Sequence, residues 1–108
     1  MNRFGGFGGG GANNMQALMR QAQKMQEEAL RAQAEVDEAE VEGSASGNLV
    51  KVVMRGNKEL VSLTIDPSIV DPDDVEMLED MVMAAINDAQ AKADDLRAEK
   101  MGRFGGMM

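Results

Sequence analysis

The chain has 108 residues, contains no Cys, His, Trp or Tyr, and carries a formal charge of −8 from 11 Lys+Arg and 19 Asp+Glu. That length suits one domain with a modest core that an oligomer would reinforce, and the missing Cys and His remove disulfides, thiolate and zinc-thiolate chemistry and the usual near-neutral general base. No apolar run approaches the roughly 20 residues of a membrane span and the N-terminus lacks the apolar core of a signal peptide, so cytoplasmic residence is expected. Residues 1–14 (MNRFGGFGGGGANN) are so rich in Gly that a flexible arm is expected, with Asn14 capping the helix that follows. From Met15 the apolar residues step by threes and fours through Leu18, Ala22, Met25, Ala29, Ala32 and Val36. This is the narrow Ala/Met seam of a helix that lies against one neighbour.

Near Ala39 the period changes to two. Val41, Gly43 and Ala45 alternate with Glu40, Glu42, Ser44 and Ser46, then Gly47-Asn48 turns the chain. Val50, Val52 and Met54 form one face of the next strand; Gly56-Asn57 is a two-residue hairpin signal; Val61, Leu63 and Ile65 form one face of a third strand. The pattern predicts a three-stranded antiparallel meander with one apolar face, stable if a helix covers it. Asp66-Pro67 and Asp71-Pro72 each place a capping carboxylate before a proline, the second opening a helix from Pro72 to about Met101. Within it Met81-Val82-Met83-Ala84-Ala85-Ile86 is apolar on every side of the helix. One small sheet cannot cover such a run, so Met81, Val82, Met83, Ala85 and Ile86 are the expected homodimer interface. Beyond it only Ala89, Ala93 and Leu96 continue a seam, matching that of the first helix.

Charge is segregated along this plan. Residues 1–24 hold Arg3, Arg20 and Lys24 and no acid, and residues 96–108 hold Arg97, Lys100 and Arg103 against Glu99. Seven acids and one base fall in 25–50, and seven acids with no base in 61–80. Arg-Phe-Gly-Gly occurs twice, at Arg3-Phe4-Gly5-Gly6 and Arg103-Phe104-Gly105-Gly106. If the first and last helices pack antiparallel as a projecting arm, both basic ends meet at its tip. The fold class expected is therefore α+β: a three-stranded antiparallel sheet flanked by two long helices, with a Gly-rich arm at 1–14, one domain at 15–102 and a flexible tail at 103–108.

Several stretches resemble the YbaB/EbfC family of bacterial nucleoid-associated proteins. They include Asn14-Met15-Gln16-Ala17-Leu18-Met19, Gln21-Ala22-Gln23-Lys24-Met25-Gln26, Val41-Glu42-Gly43-Ser44-Ala45 and Leu49-Val50-Lys51-Val52. The order continues with Ile65-Asp66-Pro67-Ser68, Asp71-Pro72-Asp73-Asp74, Met77-Leu78-Glu79-Asp80, Ala85-Ile86-Asn87-Asp88-Ala89 and Glu99-Lys100-Met101-Gly102, covering about residues 14–102. The resemblance implies a tweezer-like homodimer whose projecting helices bind DNA, with a role in nucleoid organisation or gene regulation. The Phe-Gly-Gly tail is no fixed feature of that family.

Two functional classes follow. Duplex DNA bound through Arg3, Arg20, Lys24, Arg97, Lys100 and Arg103 is favoured by the basic ends. A chaperone-like grip on a protein client through the Ala/Met seams is favoured by the acidic total, since a dimer near −16 repels DNA at long range. Arg31 and Lys92 read as structural, and Lys51, Arg55 and Lys58 as a competing basic patch on the sheet. RFGG resembles Arg/Gly segments that stack on single-stranded nucleic acid, against an inert tail as the alternative. Residues 66–80 lack calcium-loop spacing, and the glycine run 5–11 has no preceding strand and no P-loop lysine, so no metal, cofactor, small-molecule substrate or enzymatic activity is expected.

Overall fold

The computed structural model describes the backbone of residues 2–102 and the side chains of residues 14–102. The chain divides into two compact units, residues 1–31 and 32–108. The first unit is helical: α1 spans Asn2–Glu38, and its last two turns belong to the second unit. Its backbone is thus helical through the glycines expected to form an arm, and Asn14 lies inside the helix instead of capping it. Once residues 15–38 form a helix, each further residue adds one hydrogen bond without a new nucleus, which opposes a cost of about 1 kcal/mol per Gly. Along the seam Met15 and Leu18 stand 62% and 63% exposed, Met25 and Ala29 are half-buried, and Val36 is buried.

The second unit carries the sheet. β1 (Glu40–Ala45), β2 (Val50–Arg55) and β3 (Leu60–Ile65) are antiparallel in the order β1-β2-β3. The register pairs Val41 with Met54, Gly43 with Val52, Ala45 with Val50, Val50 with Ile65 and Val52 with Leu63, so the alternating apolar residues share one face as their period of two requires. An irregularity at Val53/Met54 places Leu60 opposite Met54 and takes Val61 out of the expected alternation. α2 (Val75–Met101) packs on β1 and β2, where Val50, Val52, Met54, Ile69, Ala85 and Ala89 form the core. Burying each of the larger apolar side chains contributes roughly 1.5–3 kcal/mol. β3 receives no such cover: of its residues only Ile65 is partly buried.

Small residues let the helix approach. Ala85, Ala89 and Ala93 are fully buried, and a Cβ added at Gly43 would lie 2.5 Å from the Ala85 carbonyl oxygen. Ala89 is therefore spent in the core beside the sheet, not kept as a free seam for α1. Gly56 has a related role. Its N–H donates to the Ala39 carbonyl at 2.8 Å, and an added Cβ would run into the Val36 carbonyl. Gly56-Asn57 is accordingly not a two-residue turn. The loop covers residues 56–59, is closed by Lys58 N–H to the Arg55 carbonyl at 2.8 Å, and puts Lys58, not glycine, at positive φ (72°). The first hairpin does use left-handed backbone, at Ser46, Gly47 and Asn48.

The start of α2 also differs from expectation. Asp71-Pro72 begins a turn, in which the Asp71 carboxylate accepts the Asp73 N–H at 2.9 Å and Asp74 N–H donates to the Asp71 carbonyl. Asp74, with extended φ of −140°, is the cap, accepting the Met77 N–H at 3.2 Å. Asp66 caps the short 3-10 turn (Pro67–Ile69), and the Ser68 N–H it accepts holds its carboxyl below the usual value.

β1 is fastened to α2 by polar contacts. Ser44 N–H donates to Asp88 Oδ2 at 3.0 Å, and Lys92 Nζ donates to the Glu42 carbonyl at 2.9 Å, covering a strand edge that would otherwise be open. The Ser44 N–H, aided by Lys92, lowers the Asp88 carboxyl below its usual 3.8. A carboxyl whose value is depressed by folding stabilises the folded state above its unfolded value and loses that contribution as pH falls through the folded one. Asp88→Asn should therefore lower the urea midpoint at pH 6, with the gap from the parent closing as pH falls through and below the folded-state value of Asp88. An equal gap at pH 6 and pH 2 would show that the carboxylate charge contributes nothing here.

Candidate nucleic-acid interface

The cations sort into two groups. Lys92 Nζ lies 3.3 Å from Asp88 Oδ2, as the i,i+4 spacing leads one to expect, and so is structural. Arg55 pairs with Glu59 at 3.2 Å and Lys58 with Asp94 at 2.8 Å, so two of the three members of the competing sheet patch are already neutralised. Arg97, expected among the DNA-contacting residues, is also engaged. Its guanidinium donates to Asp37 Oδ1 at 2.7 Å and to the Gly56 carbonyl at 3.4 Å, joining α2 to the last turn of α1 and the second hairpin. Helical spacing alone points to Asp94, three residues earlier, as a neighbour; the actual partner is 60 residues away in sequence.

Arg20, Lys24, Arg31, Lys51 and Lys100 have no ion-pair partner among the described residues, and all five are exposed. Arg20 and Lys24 stand four apart on α1 and share a face. Arg31 shares that face too, but Glu27 stands between them, so the uninterrupted positive stretch ends at Lys24. Lys100 occupies the last turn of α2, where a cation also complements the helix dipole. Lys51 projects from the face of the sheet opposite the core, between Ser44 and Thr64 on the neighbouring strands. Arg103 lies outside the described residues, as does the side chain of Arg3.

Arg97→Gln consequently has a distinct expectation. A partly exposed, charge-assisted pair contributes roughly 0.5–1.5 kcal/mol, so the variant should melt a few degrees lower while changing the salt dependence of any phosphate contact little. A thermal melt beside a binding titration checks both halves.

The apolar run of α2 is not uniformly covered. Ala85 is fully buried against the protomer's own sheet, which removes it from the expected dimer interface. Met81, Val82 and Ile86 are half-buried beside the core, while Met83 is 56% exposed. Leu60 and Leu63 of β3 are 46% and 42% exposed, and Val75 at the start of α2 is 49% exposed. Among the described residues no helix is long and apolar enough to cross a membrane, and no group of three or more Asp and Glu side chains is placed to hold a metal ion.

A family model described as the YbaB/EbfC DNA-binding family matches residues 11–108. A nucleoid-associated protein of Nocardia farcinica is 53% identical over 97 residues, covering 90% of this chain and 88% of that protein. Another, of Alkaliphilus metalliredigens, is 47% identical over 104 residues, covering 95% of this chain and 91% of its own. The crystal structure of an uncharacterized Helicobacter pylori protein matches with a TM-score of 0.67 over 81% of this chain and 91% of that one; at 24% identity the likeness is one of fold.

Proposed function

The chain belongs to the YbaB/EbfC DNA-binding family, and from that premise we propose that it is a nucleoid-associated protein that works as a homodimer and holds duplex DNA by charge. The observation that carries the reading is the division of the cations: those of the body are mostly neutralised in ion pairs, whereas Arg20, Lys24 and Lys100 are exposed and unpaired among the described residues. Arg3 and Arg103 would add to them from the terminal segments. Arg97 is left out because its charge is already engaged by Asp37. The role that follows is organisation of the nucleoid or regulation of genes within it, without catalysis.

Phosphate contact of this kind is electrostatic and largely indifferent to sequence. With about three to five phosphates neutralised per copy, log K should fall against log[salt] with a slope of roughly −3 to −4.5. Gln at Arg20, Lys24 or Lys100 should each flatten that slope by up to about one unit, with the fold intact. Gln at Lys51, Arg55 and Lys58 together is the control. The reading is overturned if the control set abolishes binding and the other three substitutions leave it unchanged.

The second reading, a grip on a protein client, draws on the exposed seam residues Met15 and Leu18 of α1, with the exposed Met19 next to Leu18. The same salt series separates the two, because an apolar grip does not weaken steeply as salt rises.

The homodimer is supported by two open apolar surfaces that complement one another. The core-side face of β3 is uncovered where α2 lies on β1 and β2, and α2 itself leaves Met83 and Val75 in the open. A second copy related by a twofold axis could lay its α2 over β3 and receive the first copy's α2 in return.

A further inference from the structure

Where α2 passes over β1, at the opposite edge of the sheet from β3, lies an open groove of about 540 Å³. Met77, Met81, Ala84 and Ala45 give it an apolar floor, Asp74, Glu76 and Asp80 an acidic rim, and Ser44 and Ser46 a polar end. None of the three carboxylates has a basic partner among the described residues. Met77 remains 41% exposed beside them. Adaptable thioether side chains under an uncompensated negative rim suit a ligand that carries a cation next to an aromatic ring.

The chain contains such a ligand at each end. Arg103-Phe104-Gly105-Gly106 sets a guanidinium beside a phenyl ring, with glycines that let backbone come close, and it repeats Arg3-Phe4-Gly5-Gly6. We propose that the groove binds the Arg103-Phe104-Gly105-Gly106 segment of a second molecule, the guanidinium against Glu76 and Asp80 and the ring on Met77 and Met81. The segment cannot be the molecule's own: α2 rises about 32 Å between Asp80 and Met101, whereas the residues from Gly102 to Met108 extend at most about 22 Å. The contact is heterologous, basic end to acidic body, so it links copies head to tail into a ring or an open chain. It does not depend on the DNA reading, and its test contains no DNA.

The test uses the full chain labelled with ¹³C at its methionine methyl groups. A peptide of residues 102–108 is titrated in at low salt. Saturable shifts of the Met77 and Met81 signals are expected, half-complete at about 0.1–1 mM peptide. Substituting Arg103→Gln or Phe104→Ala in the peptide should weaken binding at least several-fold. Glu76→Gln with Asp80→Asn in the protein should abolish it; Asp74 is left alone because its carboxylate caps α2. Dilution of the unmodified protein without peptide should move the same two signals, and the double variant should not respond. Still signals at about 5 mM peptide, equal binding by the double variant, or equal shifts from a lysine hexapeptide would each overturn the assignment.

Discussion

Gly43→Ala is expected to cost about 3 kcal/mol or more and to lower the melting temperature by at least about 10 °C. The reason is what the added methyl meets. Its nearest neighbours are backbone atoms of α2, the Ala89 nitrogen, the Ala85 carbonyl oxygen at 2.5 Å and the Ala89 Cα at 2.7 Å. No rotamer change relieves a backbone contact, so the helix must lift from β1. Lifting it opens the core around Val50, Val52 and Ala89 and pulls at the Ser44–Asp88 and Glu42–Lys92 contacts. Gly56→Ala should be comparably severe, since its methyl collides with the Val36 carbonyl. The same change elsewhere separates crowding from mere loss of glycine. At Gly47 space is open but φ is +68°, so the cost should be about 1 kcal/mol. At Gly102 space is open and the backbone is right-handed helical, so alanine should be neutral or slightly stabilising. Melts of the four variants at equal protein concentration test the order. A Gly43→Ala melt within two or three degrees of the parent would mean that the helix sits more loosely on β1 than these distances state.

These glycines also mark where the sequence could and could not be read. The alternation Val41/Gly43/Ala45, Val50/Val52/Met54 and Leu63/Ile65 announced three strands and their common face, because a period of two leaves one solution for a sheet with one buried side. The helix pattern was equally plain from Met15 to Glu38 and along residues 75–101. What Gly56 is for was not legible. Gly-Asn after a strand is a local turn signal, whereas the need for glycine comes from Val36, which only the folded chain brings near. Asp71-Pro72 misled for a related reason: a proline cap is a local preference, and the turn held by the Asp71 carboxylate moved the helix start to Asp74. Among the cations, Lys92 was readable as structural because its partner is four residues away. Arg97 was not, because Asp37 lies at the far end of the domain's sequence. Long-range pairing decides which charges are free, and one-dimensional charge counting cannot supply it.

Met83→Asp is expected to separate the proposed dimer into protomers while leaving each protomer folded. Met83 is 56% exposed and stands outside the core cluster, so a polar residue there costs an isolated protomer little. In a twofold dimer that buries it the substitution acts twice. Each side loses roughly 1.5–3 kcal/mol of apolar burial, and two carboxylates must also be desolvated near one another. Association should weaken by at least about 100-fold by the burial alone. Ile86→Asp added to it should go further, but Ile86 packs against the protomer's own core, so the double variant can aggregate through loss of fold. Leu63→Asp, on the uncovered strand, is the cleaner second site because the reading places it against the other copy's α2. Sedimentation velocity across a dilution series gives the association state, and circular dichroism at the same concentrations gives the fold. If the protomer cannot fold alone, the melting temperature of the unmodified protein must rise with concentration, and that of Met83→Asp must rise from a lower base. A parent melt independent of concentration, together with a Met83→Asp variant that sediments as the parent does, would remove both helix and strand from the interface and leave the apolar run of α2 without an account.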